Sequence, residues 1–108
     1  MKRVFISGGI TGVADYMERF RAAEEQLKRK GYKVINPTVV SEHLLDADAD
    51  WNDFMVVTQA LLAICDSIYM LRGWEQSAGA AVEHKIALET NKCIIYETEE
   101  YLQGGDAE

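Results

Sequence analysis

The chain has 108 residues, of which 48% are hydrophobic and 27% charged, a length and composition that fit one soluble globular domain and exclude a disordered chain or a second domain. The net charge of −7 is unevenly placed: Glu97, Glu99, Glu100, Asp106 and Glu108 crowd the last twelve residues, and Glu42, Asp46, Asp48, Asp50 and Asp53 form a second acidic group. No basic stripe offsets them, which excludes a nucleic-acid polymer as partner, and no apolar run reaches the roughly 18 residues of a membrane span.

In chain order, KRVFIS (2–7) is a short apolar run and predicts a strand that feeds the loop GGITG. The N-terminus enters this strand at once, without a signal-peptide layout, so a cytoplasmic location is expected. Asp15 with Glu18 three positions on predicts a capping box for a helix running to Lys30, with Phe20, Ala23 and Leu27 on its buried face and Gly31 as its stop. YKVIN (32–36) is a second strand, halted by Pro37. Residues 38–50 show no clear period and predict a loop with one helical turn in SEHLL. From Trp51 to Cys65 a helix would turn Phe54, Thr58, Leu61, Leu62 and Cys65 inward. SIYML (67–71) and KCIIY (92–96) are the third and fourth strands, separated by a helix from Ala78 to Asn91.

Strands and helices alternating at this spacing imply parallel βαβ units in a single doubly wound, Rossmann or flavodoxin-like α/β domain with a sheet of four to five strands. Right-handed crossovers favour the order 2-1-3-4. The domain is expected to span 1–97, with an acidic C-terminal tail over 98–108. Cys65 and Cys93 stand alone in apolar surroundings, without CxxC or paired histidines, and are expected to be buried free thiols; neither a zinc site nor a disulfide has support.

A ligand of such a sheet lies beyond the carboxyl ends of the strands, where the winding reverses. Two glycine-rich loops meet there, SGGITG (7–12) and RGWEQSAGA (72–80). Gly8, Gly9 and Gly12 either expose backbone amides to a phosphate or sugar oxygen or simply permit a tight turn. The loop matches neither a Walker loop nor the dinucleotide fingerprint. Ser77 is placed to cap the following helix, to hold a phosphate, or both.

Glu83 shares a helical stripe with Gly79, Ala80, Ile86 and Ala87, where small residues open space beside its carboxylate. It is either a half-buried glutamate paired to a lysine or a backbone donor or a nucleophile or base at the mouth of a polar pocket. His43 and His84 lack partners at a metal-ligand spacing and are expected at the surface. Asp66 caps or turns the chain before the third strand. Trp74 either stacks on a base or packs in its loop.

With these motifs assembled, the layout FISGGITG, CDSIYMLRGWEQSAGAAVEHKIA and KCIIY resembles the nucleoside 2-deoxyribosyltransferase superfamily over roughly residues 3–96. It is most similar to the small, often phage- or prophage-encoded branch known as DUF4406, and is also similar to the 2'-deoxynucleoside 5'-phosphate N-hydrolases. The pattern CD-x-I-x-M-L-x-G-W-E-x-S-x-G-A-x-x-E is specific for that branch. The resemblance implies that Glu83 is the catalytic glutamate, that Ser77 touches a 5'-phosphate, and that Ser7, Gly8, Gly9, Ile10, Thr11 and Gly12 line a nucleotide or nucleoside site together with Thr58, Gly73, Trp74 and Gly79. It further implies cleavage of an N-glycosidic bond by hydrolysis or transfer, without cofactor or metal, in a homodimer or higher homo-oligomer whose neighbour completes the pocket. Met55, Val56 and Leu62 are the surplus apolar residues available for such contacts. The alternative is a catalytically weak module that senses or sequesters a nucleotide. Three positions depart from the superfamily: Thr58 stands where an aspartate handles the base, Phe5 where the hydrolases carry a tyrosine, and Gly9 where their loop carries a serine. Asp53 is a substitute for the missing acid on the sequence alone.

Overall fold

β1 spans Arg3–Ser7, and its last four residues are all buried, because a parallel strand inside an α/β sheet is covered on both faces. α1 (Tyr16–Arg29) buries Phe20, Ala23 and Leu27, the face expected from the spacing. The capping box at its start is not formed: Asp15 has φ −104° and ψ 26° and its side chain makes no cap bond. That near-helical backbone turns the carboxylate away from the first-turn amides, which an extended cap residue would reach. α1 stops as the spacing predicts, with Gly31 at φ +96°, a conformation that costs glycine little. The computed structural model describes residues 2–98.

β2 is short (Lys33–Ile35). After it, a 3-10 turn over Pro37–Val40 and a helix α2 (Ser41–Asp46) occupy most of the segment expected to be loop. Proline begins this turn rather than merely ending the strand, since its missing N–H is not needed at a helical N-terminus. Asn36 holds the turn by accepting the Thr38 N–H at 3.0 Å and donating to Glu24 Oε1 at 3.0 Å. α3 (Trp51–Ala63) opens with a reciprocal capping box in which Asp50 accepts the Asp53 N–H at 2.8 Å and Asp53 accepts the Asp50 N–H at 3.1 Å. β3 (Ser67–Met70) is wholly buried, and α4 (Ala78–Glu89) and β4 (Cys93–Tyr96) are the last of the described elements.

Among the described residues the sheet is parallel throughout, with four strands in the order β2-β1-β3-β4. This is a doubly wound, Rossmann or flavodoxin-like α/β domain. Alternate residues of the two central strands divide the core: Val4, Ile6, Tyr69 and Leu71 pack against α1, while Phe5, Ile68 and Met70 pack with Leu62, Ala80 and Ala87 of α3 and α4. Asp66 joins the lower ends of β1 and β3, its carboxylate accepting the Arg3 N–H at 3.0 Å.

Several expectations change with the packing. Cys65 is buried, and that burial pushes its thiol pKa up, but Cys93 is exposed at the start of the edge strand β4. Met55 and Leu62 are core residues rather than spare ones, whereas Val56 is 70% exposed. Glu97 is tied into the fold by accepting the Arg72 N–H at 2.8 Å. The acidic tail expected over 98–108 lies outside the described residues from residue 99 on. Among the described residues no helix is long and apolar enough to cross a membrane.

Candidate functional site

The strand order reverses between β1 and β3, so the chain leaves these neighbours in opposite directions and opens a crevice above their carboxyl ends. Ser7 is the last residue of β1. Its hydroxyl donates to Glu83 Oε1 at 2.6 Å, a contact that brings residues 76 positions apart into one buried pair. Glu83 is 5% exposed. Burial raises its pKa, and the hydroxyls of Ser7 and Thr58 oppose that shift by favouring the carboxylate. The Thr58 hydroxyl also lies 3.3 Å from the Met55 carbonyl, a competing acceptor for its one proton.

Ser77 accepts the Ala80 N–H at 3.2 Å and caps α4. Capping and lining coincide, because Ser77 also faces a cavity of about 660 Å³ that Glu83 walls on one side. The volume lies within the range of small-molecule sites. The glycines set the approach of the walls in different ways. A Cβ on Gly8 would stand 2.7 Å from Leu71 Cδ1, so the loop after β1 lies directly on the end of β3. A Cβ on Gly9 would meet Val13 at 3.2 Å and Ser77 Cβ at 3.7 Å, which places the two glycine-rich loops side by side. Gly79 lets α3 close over the start of α4, its missing Cβ lying 3.2 Å from Met55 Sδ and 3.9 Å from Trp51 Nε1.

Of the residues singled out from the sequence, Gly8, Ile10, Thr11, Thr58, Ser77, Gly79 and Glu83 line this cavity. Ser7 stands behind Glu83 rather than in the wall. Gly9, Gly12, Gly73 and Trp74 are outside the lining; Gly12 and Gly73 instead take positive φ, +79° and +85°, at the turns that shape their loops. Trp74 stacks on His84 with ring centroids 4.2 Å apart, and His84 Nε2 lies 2.8 Å from the Tyr96 hydroxyl. That cluster holds Trp74 against α4 and β4, and His84 is half-buried rather than a surface residue. Asp53 is committed to the α3 capping box; Asp50, its partner, is the acid that reaches the cavity.

The wall opposite α4 was not read from the sequence. It comes from Tyr16 and Phe20 on α1, Ser41 and Leu44 on α2, and Trp51 and Phe54 on α3. The Tyr16 and Ser41 hydroxyls lie 3.4 Å apart across the α1 and α2 junction. A stripe through Trp51, Phe54, Met55 and Thr58 at helical spacing was the available signal, since it continues directly to the residue beside Glu83. No group of three metal-ligating side chains occurs among the described residues.

Chemically, the arrangement presents a poorly solvated carboxylate, oriented by hydroxyl donors, to a ligand-sized space with aromatic and polar walls. Such a group can attack an electrophilic carbon, accept a proton or stabilise a developing cation. No curated protein matches the chain. The family model described as a domain of unknown function, DUF4406, matches residues 2–96. Nearly the whole described fold, including both glycine-rich loops, Thr58, Ser77 and Glu83, is covered by that match, and the chain belongs to the DUF4406 family.

Proposed function

We propose that this protein cleaves the N-glycosidic bond of a nucleoside or nucleotide through Glu83, by the chemistry of the nucleoside 2-deoxyribosyltransferase superfamily that its motifs resemble. The observation that carries the proposal is the Glu83 carboxylate itself: 5% exposed, bonded to Ser7 at 2.6 Å, and set in the wall of a cavity of about 660 Å³. A charge so placed is costly to the fold, and a reacting sugar is what would use it. The anomeric carbon becomes positive as the base departs, so a fixed carboxylate in a dry wall stabilises the transition state and can then bond to it.

In this scheme Glu83 displaces the base and forms a glycosyl ester. Water then releases the sugar, or a second base accepts it. Ser7 and Thr58 favour the ionised carboxylate against the effect of its burial, and the α4 N-terminus with Gly8, Ile10 and Thr11 holds the sugar end of the ligand. No cofactor enters the scheme, and a homo-oligomer is part of the same reading.

The test is base release from a panel of nucleosides and nucleotides by the native protein and by Glu83→Gln, read by chromatography. The expected outcome is release by the native protein, none by the variant, and ligand binding by the variant within a few-fold of native. Turnover by Glu83→Gln would remove Glu83 as nucleophile. A second reading, a nucleotide sensor or sequestering module, is favoured by one feature: hydroxyls rather than a second acid adjoin Glu83. Ligand-induced thermal stabilisation without any base release would select it.

A further inference from the structure

The charge in the cavity narrows the substrate beyond the N-glycosidic reading. Among the described residues its only formally charged lining side chains are Asp50, which is exposed, and Glu83, and none of the chain's 11 lysines and arginines and neither histidine reaches it. A phosphate monoester brings about −1.5 to −2 charges at neutral pH and would enter facing two carboxylates with no cation to offset them. Four aromatic side chains, Tyr16, Phe20, Trp51 and Phe54, stand in the same lining. Aromatic faces and carboxylates together suit a cation.

The leaving group points the same way. A neutral purine or pyrimidine departs poorly unless an acid protonates it. The hydroxyls that adjoin Glu83 are already used: Ser7 donates to Glu83 itself, and the one proton of Thr58 is divided between the Glu83 carboxylate and the Met55 carbonyl. Asp50 serves as the cap of α3, accepting the Asp53 N–H at 2.8 Å. A heterocycle already positive at its glycosidic nitrogen needs no such acid.

We infer that the site takes a nucleoside whose base is cationic at the glycosidic nitrogen and whose sugar carries no phosphate, an inference that rests on the N-glycosidic function proposed above. Glu83 Oε attacks C1' and the C1'–N bond breaks. The bonding pair passes to the ring nitrogen, which becomes neutral, so the base leaves without a proton. Water then cleaves the glycosyl ester, returning the Glu83 carboxylate, free sugar and one proton to solvent; with a neutral acceptor base, the acceptor nitrogen takes the sugar and releases that proton instead.

Nicotinamide riboside, its 5'-phosphate, adenosine and 2'-deoxyadenosine are the four probes, each incubated with the native protein with and without free adenine as acceptor. The expected result is nicotinamide release from the riboside with kcat/KM at least about 10-fold above that for each neutral nucleoside and for the phosphate, a ratio within the range of a cation held against an aromatic ring. Asp50→Asn keeps a helix-capping side chain and is expected to narrow that ratio through KM, with its melting temperature as the check on folding. Faster cleavage of a neutral nucleoside or of the phosphate would overturn the inference while leaving the N-glycosidic function standing. No base from any of the four, nor from the wider panel, would overturn both.

Discussion

Glu83 holds its place against its own solvation. Its pKa is raised by burial despite the Ser7 and Thr58 hydroxyls, so the folded state favours the protonated form more than the unfolded chain does. The stability this group contributes is therefore complete below the ordinary carboxylate pKa and is lost as pH rises through the raised folded-state value. Glu83→Gln removes that loss: it should melt higher than the native protein at neutral pH, by about 1.4 kcal/mol for each unit of pKa elevation, and the difference should vanish in acid. Thermal unfolding of both proteins across pH 3 to 8 checks this. Turnover should follow the opposite limb, rising with pH as Glu83 ionises. Ser7→Ala deletes the 2.6 Å donor and should push the acid limb of the pH-rate profile further towards alkaline, at a stability cost of about 1 to 3 kcal/mol if the carboxylate finds no other donor. At this scale the sequence was informative where chemistry and spacing coincide, as for Glu83 and Ser77. It left Trp74 open between stacking on a base and packing in its loop, because an aromatic residue in a loop has no period to say which side it packs on.

Among the elements, the two close approaches that build the crevice differ in what opposes a side chain. Gly8 faces Leu71, whose Cβ as well as Cδ1 would lie within 2.9 Å of an added Cβ, and Leu71 is itself 1% exposed. Gly8→Ala should therefore force β1 and β3 apart at their carboxyl ends and cost about 1 to 3 kcal/mol. Gly79 faces the flexible thioether of Met55 at 3.2 Å and sits inside α4. There Gly79→Ala gains helix propensity worth up to about 1 kcal/mol, which offsets the displacement, so the variant should melt near the native temperature. Chemical denaturation of the two variants side by side measures the contrast. Element existence was legible because strand and helix periods are distinct in β1, α1, β3 and α4. α2 was not, since its six residues are too few to show a helical period, and the capping box was assigned to Asp15 and Glu18 when Asp50 and Asp53 form it. Both pairs have the spacing of the motif, and only the backbone torsion at the cap residue separates them.

For the molecule as a whole, the alternation of elements with right-handed crossovers determined the parallel sheet and its order β2-β1-β3-β4. These follow from the sequence by itself because hydrophobic period, chain direction and handedness are local or nearly local properties. The same order determined that any site would lie above β1 and β3. What only the tertiary structure decided was the far wall of that site. Tyr16, Ser41, Trp51 and Phe54 come from three helices, and their convergence depends on how each helix packs, which no spacing within a single helix encodes. The Ser7 to Glu83 bond and the absence of any basic side chain from the cavity belong to the same class. A carboxylate can be picked out in a sequence by its small neighbours. Its hydrogen-bond donor, and the sign of the charge it meets across a cavity, are fixed only when distant segments fold against one another.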